Sequence, residues 1–533
     1  MNGRSFFITL LLGVILVILL IISAGKWNSS IKTNPIVDNQ ILKLPESAKY
    51  IPNDSQLSIY FQIDPNRIPK HIESIVNPKK KNLAKKESYE FIDGLFNLTG
   101  IDLNTDLSNW MISRFSISIL TSEKNNEEKG WLLIIEGIDD NGPETFLNNY
   151  LEAKVNNSIK IKTKEYKGMD IYSTINANGE NKEIEISSIL IDNNIALIAS
   201  NTEVLHKAID VSQYSSENQL GNKSLNESID ILDSGIALIT AKPELIEKLF
   251  GLPKIITEKI KDYGFTASVM SKEKKIYFDS NINFKDGTDI IINQNQNGFN
   301  FSDYSASNST DVFIINEPIN ILDDHNSDIY PKLIESTFNQ ITLESKTPVI
   351  KEILESQSSA LALVKDGIGW FVESIDNNQV SKIEESLIKA GYTKSTIPFE
   401  GDFVRVWSKI KLAKLKDHYS LTSNVDIILF QDADRFVWTN QISMLEVRNE
   451  MKQLMPRSNT QEISNINKDG HAIKISLSED SAQKALNSWG PWKLLKTVNK
   501  NWVPNIKGLN LAIGTPNNND DEVLKIRGIL SMN

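Results

Sequence analysis

The chain contains no cysteine. Disulfides, a thiol nucleophile, Cys-ligated zinc, iron–sulfur clusters and a lipidated N-terminal cysteine are therefore excluded. Histidine is scarce. His71, His206, His325, His418 and His471 are the five, and none lies close enough to another to form a zincin-like pair. No G-x-S-x-G elbow, no P-loop and no G-x-G-x-x-G occurs, so nucleophile-elbow hydrolysis and nucleotide binding have no support. Ser-x-x-Lys occurs at Ser408–Lys411 and Ser481–Lys484, but neither S-D-N nor K-T-G accompanies it. "NINKDG" (Asn465–Gly470) and "NQNQNG" (Asn293–Gly298) imitate the start of a calcium loop. Their twelfth positions are Ser476 and Tyr304 where a bidentate carboxylate is required, and they read as turns. No cofactor and no metal is expected, and the chain reads as a non-enzyme.

Long apolar runs are also few. One exists, "FFITLLLGVILVILLIISAG" from Phe6 to Gly25, interrupted only by Thr9 and Ser23. At 1.5 Å per residue, about 20 residues cross a bilayer's hydrocarbon, whereas the core of a cleaved signal peptide is shorter. The run predicts an uncleaved transmembrane helix over 1–25, a polar tether over 26–44, and the bulk of the chain, 45–533, outside the cytoplasm. The net charge of −11 repels phosphate backbones, so nucleic acid is not an expected partner. With 40% hydrophobic and 23% charged residues the chain is globular, and its 533-residue length is too great for one ordinary core.

That remainder is written twice. "GWLLIIEGIDD" (Gly130–Asp140) and "GWFVESIDNN" (Gly369–Asn378) open alike and run through an apolar strand to Ile-Asp. Five further blocks recur in the same order. Leu57–Ile68 faces Asp311–Leu322, and Glu165–Ser173 faces Pro398–Ser408 with Gly168 opposite Gly401. Asp192–Leu205 faces Asp432–Leu445, and Ser234–Leu249 faces Asp469–Leu486 with Gly235 opposite Gly470. Gly264–Phe284 faces Gly508–Ser531. Six collinear matches about 240 positions apart indicate an internal repeat. Each copy reads strand, helix, strand, hairpin, helix, strand, helix, hairpin, with Ile-, Val-, Phe- and Tyr-rich strands bounded by Asn, Asp and Gly. Phe146, Leu147, Tyr150 and Leu151 recur at helical spacing after Pro143-Glu144. Val380, Ile383 and Leu387 do the same before Gly391. The expected class is α+β: the transmembrane helix, then two homologous modules of antiparallel sheet covered by helices, at 45–285 and 311–533, joined by a polar linker at 286–310.

"PESAKYIPND" (Pro45–Asp54) behind an N-terminal anchor, followed by "GIDLNTDLSNWM" (Gly100–Met111), resembles a family of uncharacterised membrane-anchored bacterial proteins best represented in cyanobacteria. The positions that carry the resemblance are Pro45, Ala48, Tyr50, Pro52, Gly100, Asp102, Asp106 and Trp110; the chain departs from the pattern at "MIS" after that Trp. The resemblance implies no known activity. With the anchor it implies a location in the periplasm or the thylakoid lumen.

Two clusters are candidate contact sites. "SWGPWKLLKTVNKNW" (Ser488–Trp502) brings Trp489, Trp492 and Trp502 together with Lys493 and Lys496, either a ligand or interface patch or an amphipathic helix burying its rings. "NPKKKNLAKK" (Asn77–Lys86) supplies Lys79, Lys80, Lys81, Lys85 and Lys86, a dense basic run able to touch lipid headgroups near the anchor. Trp131 and Trp370 hold matched positions and read as core residues copied with the fold. The expected function is that of a membrane-tethered interaction or assembly scaffold of the cell envelope, with other envelope proteins as partners. The alternatives are a carrier holding lipid or another hydrophobic ligand between sheets, and an enzyme built on an unrecognised carboxylate site.

Overall fold

Short β-branched and aromatic runs, punctuated by Asp, Asn and Gly, build twenty strands among the described residues. The computed structural model describes residues 42–61, 111–121, 129–137, 142–156, 159–178, 182–250, 258–272, 275–285, 304, 310–316, 353, 360–375, 380–415, 418–453, 471–488, 506–514 and 523–532. The expected span at 6–25 lies outside these residues; among them no helix is long and apolar enough to cross a membrane. A 3-10 turn, Glu46–Tyr50, precedes the first strand.

The first half runs β1 (Leu57–Phe61), β2 (Met111–Thr121), β3 (Lys129–Gly137), α1 (Gly142–Asn156), β4 (Lys160–Tyr166), β5 (Met169–Asn178), β6 (Lys182–Ile191), β7 (Ile195–Ala199), α2 (Thr202–Ser212), α3 (Lys223–Asp230), β8 (Ala237–Ala241), α4 (Pro243–Phe250), β9 (Ile260–Lys272) and β10 (Lys275–Phe284). The second runs β11 (Asp311–Ile315), β12 (Leu361–Asp366), β13 (Gly369–Ser374), α5 (Val380–Lys389), β14 (Thr393–Phe399), β15 (Asp402–Leu415), β16 (His418–Asp432), β17 (Arg435–Thr439), α6 (Ser443–Gln453), β18 (His471–Leu477), α7 (Glu479–Ser488), β19 (Ile506–Gly514) and β20 (Val523–Met532). The order expected from sequence has seven strands per copy where ten are found, and β2 and β12 are among those it omits. Each completes a hairpin with a Gly-Trp strand, and each lies outside the six recurring blocks.

Pairing is antiparallel throughout. In the first half the order is β4-β5-β6-β7-β3-β2-β1-β8-β9-β10. In the second it is β14-β15-β16-β17-β13-β12-β11-β18-β19-β20. Every pairing of the first half therefore has a counterpart ten strands later in the second. The last strands of the two halves, β10 and β20, pair with one another from Lys275↔Ser531 to Asn283↔Val523 and make the sheet continuous.

Turn chemistry follows the same correspondence. The β4–β5 turn holds Lys167 and Gly168 at φ 53° and 81°, and the β14–β15 turn holds Glu400 and Gly401 at φ 48° and 91°. Two consecutive left-handed residues are the requirement of a type I′ hairpin, and glycine meets it at the second position without a Cβ clash. Gly391, at φ 85°, ends α5; its N–H donates to Ile388 O and that of Tyr392 to Leu387 O, the double bond of a Schellman cap. Gly235 lies just before β8 with no room for a Cβ against Val269, while Gly470 lies outside the described residues.

Both faces of the sheet are covered, which is why its central strands are buried at every position. On β13, α5 lays Val380, Ile383 and Leu387 against Trp370 and Val372 on one side. On the other, α6 lays Met444 and Leu445 against Phe371, Val437 and Ala362. In the first half α2 lays Val204, Leu205 and Ala208 against Leu132, Ile134 and Leu197, while α1 packs on β3, β4, β6 and β7. The seam belongs to the second half's core, where Ile282 and Phe284 of β10 and Leu524 of β20 join Phe313, Leu363 and Trp438.

Candidate functional site

The two clusters expected from sequence, Trp489, Trp492, Trp502, Lys493 and Lys496, and Lys79, Lys80, Lys81, Lys85 and Lys86, lie outside the described residues. Trp370 is buried, in one cluster with Trp407 and Trp438, whose rings stand 5.4 Å apart. Trp131 is only half-buried, short of the burial expected. The strand registers explain the difference. Positions occupied by Trp407 and Trp438 in the second half fall to Thr174 and Ile198 in the first. These side chains are too small to enclose a matched indole.

The structure offers a different site, on the α6 face of β13. Glu373 is inaccessible to solvent and lies two residues along the strand from Phe371, so it points into the layer beneath α6. Arg448, one α6 turn beyond Met444, is 1% exposed and meets it with a two-pronged contact. Its Nε donates to Glu373 Oε2 at 2.8 Å and its Nη2 to Oε1 at 2.9 Å, while Nη2 also reaches Asp432 Oδ2 at 2.9 Å. Arg435 adds a donor to Glu373 Oε1 at 3.2 Å and another to the Tyr304 hydroxyl at 3.3 Å. Burial works against the Arg448 charge, but its carboxylate partners outweigh it and hold the pKa above the ordinary arginine value. Burial, reinforced by the negative charge of Glu373, pushes the Tyr304 phenol well up, so it stays neutral.

This arrangement is electrostatically closed. Both oxygens of Glu373 accept from guanidinium donors, and the group is inaccessible to solvent, so no substrate reaches it from outside the layer. A fully paired buried carboxylate of this kind specifies how a helix seats on a sheet more readily than it performs acid–base chemistry. In the first half the corresponding positions are Ile134 on β3 and Ala208 on α2, both fully buried in an apolar cluster. The signal in the sequence was the mismatch itself, Glu opposite Ile inside the Gly-Trp strand.

Two further polar clusters fix the frame. At the seam, Asp279 of β10 contacts Lys525 Nζ at 3.2 Å and Arg527 Nε at 3.2 Å and accepts the Asp233 N–H at 2.8 Å. Burial raises the Asp279 pKa in spite of the two cations. At the β4–β5 turn, the Tyr166 ring stacks on His206 at 3.8 Å, and its hydroxyl donates to Asp210 at 2.8 Å. Burial lowers the His206 pKa, so this imidazole is neutral near pH 7. The corresponding turn in the second half is held by Asn449 Nδ2 donating to Glu400 Oε2 at 3.0 Å. Among the described residues no group of three or more His, Asp or Glu could hold a metal ion.

Residues 10–523 match the family described as "Protein of unknown function (DUF3352)", and the chain belongs to that family. Comparison with curated proteins finds no match. Two solved structures of TP0453 show partial similarity. Crystal form I is 8% identical with a TM-score of 0.28, covering 50% of this chain and 83% of that one. Crystal form III is 10% identical with a TM-score of 0.25, covering 46% and 82%.

Proposed function

We propose that this member of a family of unknown function is a membrane-tethered, extracytoplasmic, non-enzymatic protein of the cell envelope. In this reading its two homologous α+β modules present surfaces for interaction or assembly. The observation that carries it is the closure of the Glu373–Arg448 site: the most deeply buried carboxylate among the described residues has both oxygens committed to holding a helix on the sheet. Module homology draws support from the strand pairings that recur ten strands apart and from the paired Lys167-Gly168 and Glu400-Gly401 turns. The tether rests on the apolar run Phe6–Gly25. On a duplicated scaffold, shared residues maintain the fold and function lies where the copies differ.

The carrier reading, with lipid or another hydrophobic ligand held between sheets, is the alternative. It is disfavoured by sheet faces filled with side chains from both sides, Trp370 and Trp438 on one and Phe371 and Val437 on the other. Proximity labelling of the native protein followed by mass spectrometry of associated proteins and lipids separates the two. Recurrent envelope proteins at levels comparable to the bait support the scaffold. A single co-purifying lipid species without protein partners contradicts it.

A further inference from the structure

Strands β15 and β16 run far past their neighbours. β14 pairs with β15 only as far as Ser408, and β17 pairs with β16 only from Ile428 onward. Residues 409–415 and 418–425 therefore form a two-stranded ribbon projecting from the sheet. At about 3.3 Å per residue the projecting part of β15 reaches roughly 20–25 Å. A free hairpin of this length is marginal in water unless one of its faces is covered.

Its faces are unlike. A bulge at Trp407/Ser408 resets the register, after which Ile410 faces Ser423, Leu412 faces Leu421 and Lys414 faces Tyr419. The alternation that buries Val404 and Val406 beneath α6 thus continues outward as Ile410 and Leu412. Ile410, Leu412, Tyr419 and Leu421 share one face, and each is more than 60% exposed, with Leu421 at 73%. They are four of the eleven large apolar side chains exposed among the described residues, and Val425, opposite Ser408, adds a fifth to the same ribbon face. The opposite face is polar at its described side chains. Lys409 donates to Ala390 O at the end of α5, Lys411 pairs with Asp426 at 2.9 Å, and Thr422 and Asn424 complete it. In sequence, the segment 409–426 carries Lys409, Lys411, Lys414 and Lys416 against Asp417 and Asp426, a positive stretch in a chain of net charge −11.

From this geometry we infer that the β15–β16 ribbon is a second membrane contact, laying its Ile410/Leu412/Tyr419/Leu421 face into the interface of an anionic bilayer. The occupant is identified by chemistry. An apolar strip flanked by lysines in an otherwise acidic protein matches a surface that is apolar beneath and negative above. Tyr419, near the far end of the paired strands, suits the headgroup level, where an amphipathic ring is favoured. A second copy of the chain would bring the lysines of one ribbon against those of another. The inference does not depend on the N-terminal tether, because the ribbon needs only a bilayer within reach.

The absence of cysteine makes the test clean. Full-length Leu421→Cys and Thr422→Cys variants, each labelled with an environment-sensitive fluorophore, are reconstituted into phosphatidylcholine vesicles with and without phosphatidylglycerol. The Leu421 probe is expected to brighten severalfold and shift to the blue when phosphatidylglycerol is present, and to be quenched by nitroxide lipid, while the Thr422 probe stays in water. Replacing Lys414 and Lys416 with Gln should weaken the anionic-lipid dependence by roughly fivefold per lysine. The inference is overturned by an unchanged Leu421 probe, by equal responses at both positions, or by a Leu421 response without phosphatidylglycerol. A probe already blue-shifted in detergent overturns it too, since another segment or a second copy would then cover the face.

Discussion

The backbone N–H of Trp370 donates to Asn440 Oδ1 at 2.8 Å, and the residue before it, Gly369, has no room for a side chain against that same oxygen. In the first half the N–H of Trp131 donates to Ser200 Oγ at 3.1 Å, and a Cβ on Gly130 would stand 2.4 Å from Val204 Cγ2. The Gly-Trp pair recurs because the helix after β7 or β17 is seated on the strand edge at this point. The glycine allows the approach, and the following N–H caps a polar side chain of the connecting turn.

Gly369→Ala should therefore destabilise the protein by about 1–3 kcal/mol, the ordinary cost of overpacking a close contact. A Cβ there meets Asn440 Oδ1 at 2.5 Å and Met444 Cγ at 3.0 Å. Thermal unfolding of the full chain in mild detergent measures it, and an unchanged melting temperature would mean the helix is not seated on this edge.

The buried ion pair predicts a strong coupling. Glu373→Ile leaves the Arg448 guanidinium buried with Asp432 as its remaining carboxylate partner, a loss expected to cost about 3–5 kcal/mol. The double change Glu373→Ile with Arg448→Ala installs the first half's residues, Ile134 and Ala208, and should recover much of that loss. Denaturant melts of both singles and the double give the coupling energy. Strictly additive losses would show that the two side chains do not act as a pair.

Trp370→Ala should cost about 3–5 kcal/mol, as for other buried aromatic truncations. Trp131→Ala, half-buried beside smaller neighbours, should cost less, about 1–3 kcal/mol. The same unfolding experiment ranks them. Equal losses would contradict the difference in enclosure.

Glu384 on α5 fastens the helix to the β14–β15 hairpin, accepting from Lys394 Nζ at 2.6 Å and from Arg405 Nη1 at 2.9 Å. Burial opposes its charge, but the two cations prevail and hold its pKa below the ordinary value of 4.5. A carboxylate depressed in the folded state contributes stability above its unfolded pKa and loses it as pH falls through the folded value. The stability difference between wild type and Glu384→Gln should be full above pH 4.5 and shrink as pH falls below it. A difference that stays constant into acid would mean that these contacts do not hold the carboxylate charged.

Much of the architecture was legible because period-two apolar runs and hairpin glycines are local signals. Gly168 and Gly401 announced their turns, and Val380, Ile383 and Leu387 announced the buried stripe of α5. What escaped depended on partners distant in sequence. Strand β2, "MISRFSISILT", alternates Ser with apolar residues, yet its place between β1 and β3 is fixed by pairing, not by its own composition. The β10–β20 seam joins residues about 250 positions apart, and no periodicity reports it. The Glu373–Arg448 contact escaped for the same reason: the mismatch of Glu373 with Ile134 marks one position, but nothing local names Arg448, 75 residues on, until the fold brings the two to 2.8 Å.

Topology in the membrane tests the proposed tethering most directly. Protease added to spheroplasts should digest the region 45–533 while sparing cytoplasmic marker proteins, and the undigested protein should stay with the membrane fraction through residues 6–25. Full protection of 45–533 would contradict the extracytoplasmic orientation, and a soluble mature form lacking residues 1–24 would contradict the anchor.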